Sequence, residues 1–314
     1  MNMKRLVLAL ALGAAALNWS LAALAQGPAT ATRKIVLVAG PPSHGPGEHE
    51  HRAGCLLLQK CLNQVPGINA VVVSNGWPAD VSVFNDAKAI VVYSDGGDGH
   101  PFIQDDRLKT LGAILQKGVG FGAIHYAVEV PANRGGGEFL QWNGGYFEAN
   151  WSVNPTWTAD FTKFPTHPIT RGIEPYKIYD EWYFHMRFTT NKVGLMPILV
   201  AVAPASTMDR PDGPHEGNPA VREEVKNGVP QVMMWAYEPH GFMDERMAKR
   251  YGLLSNRGFG FTGGHYHKNW GDENSRRLVL NAILWIAGAD VPANGVQSTV
   301  TAEELKANLD PKGR

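Results

Sequence analysis

Four short runs, Lys34–Ala39, Asn69–Ser74, Ala89–Ser94 and Val119–Ile124, are continuously apolar rather than alternating. Strands that read this way are buried on both faces, as in a parallel sheet covered by helices on either side. After the first run, the loop Gly40–His51 opens a helix that continues to about Leu62. Before the fourth, Gln104–Lys117 carries Leu108, Leu111, Ile114 and Leu115 at helical spacing and stops at Gly118, a C-cap residue. The β-α-β-β-α-β order predicts an α/β, three-layer flavodoxin-like domain with a mostly parallel sheet. Further strands are expected at Tyr176–Trp182, Pro197–Ala203, Val232–Tyr237 and Gly258–Gly263, and a last helix at Ser275–Gly288. Pro204–Pro230 is polar and offers no clear element; its Arg210–Asn218 part reads as a surface loop or a lid.

The domain is expected over residues 34–290, preceded by a tail at 26–33. A tail at 291–314 follows, where Thr301-Ala-Glu-Glu opens a short capped helix. Residues 1–25 read as a secretory signal. Lys4 and Arg5 precede an apolar run from Leu6 to Leu17, too short for the ~20 residues of a membrane span. Ala23-Leu24-Ala25 then fits signal peptidase. The expected location is therefore periplasmic or extracellular, with no membrane span after cleavage. The chain has 314 residues, with 29 basic and 29 acidic side chains. This balance excludes a generally basic nucleic-acid binder. Cys55 and Cys61 lie six residues apart on one expected helix, about 9 Å of rise, and are expected as buried free thiols.

Ligands of a parallel α/β sheet bind beyond the carboxyl ends of its strands. Seven of the 11 histidines follow strands directly: His44, His49, His51, His100, His125, His265 and His267. Such convergence points to a transition metal, to acid–base chemistry, or to both. His44, His125 and His265 are the candidate ligands of a divalent metal such as zinc, with His51 and Glu181 nearby. His125, Glu181 and His265 are the candidate catalytic groups. His49 and His51 stand at a helix start, where a cationic imidazole is electrostatically poor and a neutral imidazole, or the Glu48 carboxylate, fits better. His125 occupies the strand-to-helix elbow where many α/β enzymes hold a nucleophile. Asp95, His100, Tyr126, Trp151, Asp180, Arg187 and His267 are candidate substrate contacts. The aromatic stretch Trp142–Trp157 reads either as core and lid packing or as a platform for sugar rings. Neither HExxH nor CxxC occurs, and no nucleotide cofactor is expected.

Five segments together resemble the ThuA-like, trehalose-utilisation family of the class I glutamine amidotransferase-like superfamily, over about residues 34–290. They are Gly118-Val-Gly-Phe-Gly-Ala-Ile-His125, His167-Pro-Ile-Thr-Arg-Gly172, Asp180-Glu-Trp-Tyr183, Phe261-Thr-Gly-Gly-His265 and Asn281-Ala-Ile-Leu-Trp285. In amidotransferases a Cys nucleophile stands at the elbow. His125 replaces it here, and the Glu that follows the triad His is missing after His265-Tyr-His267, so the resemblance does not imply glutaminase activity. It implies a small-molecule carbohydrate partner, with trehalose and related disaccharides oxidised at the 3-position as the family's association. The expected function is an exported lyase or hydrolase of 3-keto glycosides. The alternatives are a non-catalytic carbohydrate-binding protein on a disarmed amidotransferase scaffold and a metal-dependent hydrolase of another small molecule. The oligomeric state is left open.

Overall fold

The computed structural model describes residues 32–240 and 256–312. The expected signal sequence and most of the tail at 26–33 lie outside the described residues. Five mutually parallel strands form the body of the central sheet. They are β1 (Arg33–Ala39), β2 (Ile68–Val73), β3 (Ala87–Tyr93), β4 (Gly120–Ile124) and β11 (Gly258–Phe261). With β9 (Leu195–Ala201) and β10 (Gln231–Tyr237) the order is β2-β1-β3-β4-β11-β10-β9, and only β10 runs against its neighbours.

Side chains of β1 and β3 divide between two separate cores. Ile35, Leu37, Ala89, Val91 and Tyr93 face one way, into α1 (His51–Leu62) and α5 (Glu273–Ile286). Val36, Val38, Ile90 and Val92 face the other, into α2 (Arg107–Leu115) and α3 (Gly137–Trp142). Burial on both faces is what the unbroken apolar runs predict. The three layers and the mostly parallel sheet are thus as the sequence implies. Cys55 and Cys61 are free and buried, and burial raises both thiols above their usual range.

Two expectations need correction. The strand at Tyr176–Glu181 (β7) is not part of the central sheet. It pairs antiparallel with β6 (Thr156–Phe161), Thr156 opposite Glu181 and Phe161 opposite Tyr176. Burial alternates along both strands, as it must in a ribbon covered on one face. A smaller ribbon joins β5 (Gly145–Tyr146) to β8 (Arg187–Phe188). The polar Pro204–Pro230 stretch is not without structure either. It contains α4 (Pro219–Lys226), with Pro219 in its first turn, Val221 and Val225 buried, and the Asn218 side chain accepting from the Val221 N–H at 3.0 Å. That cap and the N-terminal proline are a helix-start signal masked by the surrounding polar residues.

Past α5 the chain stays on the domain. Val291 and Val296 are buried, and α6 (Ala302–Lys306) starts with a capping box between Thr301 and Glu304. Among the described residues, no helix is long and apolar enough to cross a membrane.

Asn281 of α5 is fully buried and staples three segments. Its Nδ2 donates to the carbonyls of Ile169 and Arg171, and its Oδ1 accepts from the Val296 N–H at 2.8 Å. Asn281→Ala leaves those backbone groups unpaired in the core. A stability loss of about 2–4 kcal/mol is expected, read as a lower urea midpoint with an unchanged slope.

Candidate metal centre

Register builds the site before any side chain does. Ala39 pairs with Tyr93, Tyr93 with Ile124, and Ile124 with Phe261, so β1, β3, β4 and β11 end on one line. His125 follows Ile124 at once with φ 55°, a left-handed turn that throws its side chain over the sheet edge. Gly122 permits the close packing beneath it, since a Cβ there would lie 2.4 Å from the Phe259 ring. After β11, Gly264 takes φ 106°, closed to other residues. The buried Asp180 carboxylate accepts from the N–H groups of Gly264 and His265 at 2.7 and 3.1 Å, fixing this loop from β7. His49 also sits at positive φ, 45°, and its N–H donates to the His265 carbonyl at 3.0 Å. The loop after β1 is thereby zipped to the loop after β11.

His49, His125, Glu181 and His265 converge, with donor atoms all within 4.8 Å of one another. His49 Nε2 is 3.0 Å from both His265 Nδ1 and His125 Nε2. Glu181 Oε2 is 3.2 Å from His265 Nδ1 and 3.4 Å from His125 Nε2. Tautomers follow from the outer partners. His49 Nδ1 lies 2.7 Å from Asp95 Oδ1, and His125 Nδ1 lies 2.8 Å from the Thr262 carbonyl. Both partners only accept, so both Nδ1 atoms carry the proton and both Nε2 atoms present bare lone pairs. Two lone pairs facing each other at 3.0 Å beside a carboxylate are relieved only by a proton or a cation between them. The spacing suits a cation: metal–ligand bonds of ~2.0–2.1 Å in a tetrahedron give edges of about 3.3 Å. Imidazole N–H groups held by a carboxylate and a backbone carbonyl are also the usual outer support of metal-ligating histidines.

The electrostatics divide the ligands: burial alone would lower His265, but its hydrogen bond with Glu181 raises it above its ordinary value, so a metal there displaces a proton. Burial pushes the His49 imidazole down to about 2, so it is neutral. Burial alone would raise Glu181, but a proton shared with the facing His125 and His265 nitrogens, the place a cation would take, holds it well below the usual carboxylate range. Hydrogen bonds from His49 and Ser43 likewise outweigh burial at Asp95 and hold it at about 2. The His/Glu cluster is one that could hold a metal ion.

His44 lies outside it, but with His49 and Asp95 it forms a second group that could hold a metal ion. Its ring stacks on His49 at 3.5 Å between centroids, half-exposed, with Nδ1 near Ser43 Oγ and 3.8 Å from Asp95. His49 takes the position expected of His44, because the zip to His265 turns the second histidine of the loop inward. His44 still lies close, its ring 6.0 Å from that of His265. His51 is buried behind, its Nδ1 bonding the Pro41 carbonyl, and burial lowers it to about 4.

Among the expected substrate contacts, Asp95 supports His49, and Asp180 is a brace for the His265 loop. Tyr126 lines the rim, its ring 6.0 Å from that of His49. His100 spends both ring nitrogens on backbone, at the Ala127 carbonyl and the Phe102 N–H. His267 is buried at the start of a 3-10 turn, its N–H donating to the Gly47 carbonyl. The Trp151 ring is covered by this chain's own side chains, with Arg187 over it at 3.6 Å and His185 stacked at 4.2 Å. Of the aromatic stretch, Trp142, Tyr146, Phe147 and Trp157 are core. Sequence reasoning passed over Asn154, whose Nδ2 donates to Glu181 Oε1 at 3.1 Å, and Tyr183, whose hydroxyl is 3.3 Å from His125 Nε2. Tyr183 stood in the quoted Asp180–Tyr183 segment; Asn154 carried no signal.

The family described as ThuA, trehalose utilisation, matches residues 41–286. Among curated proteins none matches. Of solved structures, a ThuA-like protein from Bacteroides uniformis is 14% identical, covers 83% of this chain and 94% of its own, and superposes with a TM-score of 0.53. A ThuA-like protein from Parabacteroides merdae is 15% identical, covering 83% of this chain and 92% of its own, with a TM-score of 0.49. The family match runs from the loop that carries His49 to the last turn of α5, and by it the chain belongs to the ThuA, trehalose-utilisation family.

Proposed function

We propose that this protein is an exported, metal-dependent enzyme that cleaves oxidised, 3-keto glycosides by β-elimination. The observation that carries the reading is the facing lone pairs of His49 and His125, closed by Glu181 and His265. His49 Nε2, His125 Nε2, Glu181 Oε2 and His265 Nδ1 would hold a divalent ion, which supplies Lewis acidity toward a carbonyl oxygen when bound. The family's trehalose association supports a sugar as substrate.

A ketone at C3 of a glycoside acidifies the C2 proton. His44 is the proton acceptor in this reading: an imidazole beside the cluster but outside it, kept neutral because burial lowers its pKa. The C2–H electrons become the C1=C2 bond, and the C1–O electrons leave with the aglycone. Tyr126, raised to about 12 by burial, stays protonated and offers its hydroxyl to a substrate oxygen. Water can add to the unsaturated product afterwards. Export rests on the Lys4–Ala25 segment, and N-terminal sequencing of the secreted protein is expected to begin at Gln26.

Elemental analysis should find about one equivalent of a divalent metal in the purified protein, and His49→Ala and Glu181→Ala should each lose it. Chelation should lower the Tm by on the order of 10 °C, the effect of removing a ligand present at ~1000 times its Kd. Wild-type protein that stays metal-free in zinc-, manganese- and iron-supplemented medium overturns the centre. Turnover of 3-keto-trehalose should fall ~100-fold in His44→Gln while bound metal is unchanged. Full turnover in that variant removes His44 as the base.

A further inference from the structure

The polar loop after β9 carries an acid–base pair that the metal centre does not use. His215 Nε2 lies 2.9 and 3.0 Å from the two carboxylate oxygens of Glu129, which is itself only 6% exposed. A carboxylate only accepts, so Nε2 carries a proton. His215 Nδ1 bonds no protein group among the described residues, and the side chain is 31% exposed.

This pair is tied to the centre from three sides. The His215 carbonyl accepts from the Asn154 N–H at 3.0 Å, and Asn154 donates to Glu181 Oε1. The His215 ring stacks on Phe147, Phe147 meets Tyr183 at 5.3 Å, and the Tyr183 hydroxyl reaches His125 Nε2. Glu129 stands four residues after His125 and shares a corner with Tyr126: a Cβ built at Gly97 would lie 3.5 Å from the Tyr126 hydroxyl and 3.6 Å from Glu129 Oε1. The same loop brings Arg210, whose Nη2 donates to Asn154 Oδ1 while Nη1 is buried without a protein partner among the described residues. An aromatic floor thus runs from the ligand His125 to an imidazole with one nitrogen held by a carboxylate and the other open.

We propose that His215, oriented by Glu129, is the general acid that protonates the departing aglycone oxygen, and that the loop Arg210–Asn218 is the leaving-group wall of the site. The assignment rests on the reading of the centre as a 3-keto glycoside lyase. As the C1–O bond breaks, the oxygen takes the electron pair and the proton from His215 Nδ1–H; the neutral imidazole regains a proton from solvent. The hydrogen bond that His215 donates to Glu129 raises its pKa above the ordinary value against the opposing effect of burial, with Glu216 and Glu181 adding to the rise. The cationic form therefore survives at a pH where an ordinary imidazole has lost it. An acid is needed in proportion to how poor the leaving group is.

The test is a series of 3-keto glucosides with alkyl, sugar and 4-nitrophenyl aglycones, turned over by wild type, His215→Gln and Glu129→Gln, with bound metal measured for each. His215→Gln should lose ~100-fold or more on alkyl and sugar aglycones and less than about 5-fold on 4-nitrophenyl, with metal content unchanged. In Glu129→Gln, loss of the carboxylate lowers the His215 pKa, so the alkaline limb of kcat/KM for the sugar aglycone should move to lower pH. NMR titration of the His215 ring in the resting protein should show the same displacement. An equal loss across all aglycones, or none, overturns the assignment while leaving the metal centre standing. A wild type that binds metal and cleaves no member of the series overturns the lyase reading and this assignment with it.

Discussion

The polar centre of this protein hangs from one line, the level carboxyl edge formed by Ala39, Tyr93, Ile124 and Phe261. Parallel strands whose ends are in register deliver their loops to the same side, and here three of those loops deliver the imidazoles of the cluster. The edge could not be level without close packing beneath it, which is why glycine stands at 122. The cost is concentrated above the edge: His49 and His125 hold left-handed backbone conformations, each disfavoured by about 1–3 kcal/mol. Such strain persists only where surrounding contacts over-determine it. The zip between His49 N–H and the His265 carbonyl, and the Asp180 brace on residues 264 and 265, are those contacts.

Three buried imidazoles and a carboxylate would be an expensive core if their neutral and charged forms were left to chance. Their outer partners decide the matter. Asp95 and the Thr262 carbonyl fix two protons on the far side of the rings, so the near side presents only acceptors. Burial then keeps His49 neutral, and Glu181 keeps its charge through the proton, or the cation in its place, that it shares with His125 and His265. Ligand geometry and the tautomers of His49 and His125 favour a cation at the same point.

The sheet was legible because strands buried on both faces leave unbroken apolar runs, and the histidines were legible because they followed those runs. The exchange of His44 for His49 was not. Both lie in one Gly/Pro loop, and which of them turns inward depends on a backbone hydrogen bond to residue 265, more than two hundred positions away. The helix start disfavours only a cationic imidazole, and burial keeps His49 neutral, the form that suits that position. The β6–β7 ribbon was half visible: Tyr176–Glu181 looked like a strand, but nothing local said that its partner was Thr156–Phe161 rather than the central sheet. The aromatic stretch was open between core packing and a sugar platform. Trp142, Tyr146 and Trp157 had the composition of a sugar platform, and tertiary packing took them into the core.

The elbow at His125 shows how one position sets what the sheet edge presents. A cysteine there holds its sulfur one bond from Cβ, close to the sheet edge, as a nucleophile requires. An imidazole on the same left-handed turn reaches further, and its near nitrogen is captured by the Thr262 carbonyl at the end of β11. Only Nε2 is left to face the crevice, as a lone pair among other lone pairs. It adds a third nitrogen to the point that His49 and His265 reach from the neighbouring loops, in a group that could hold a metal ion.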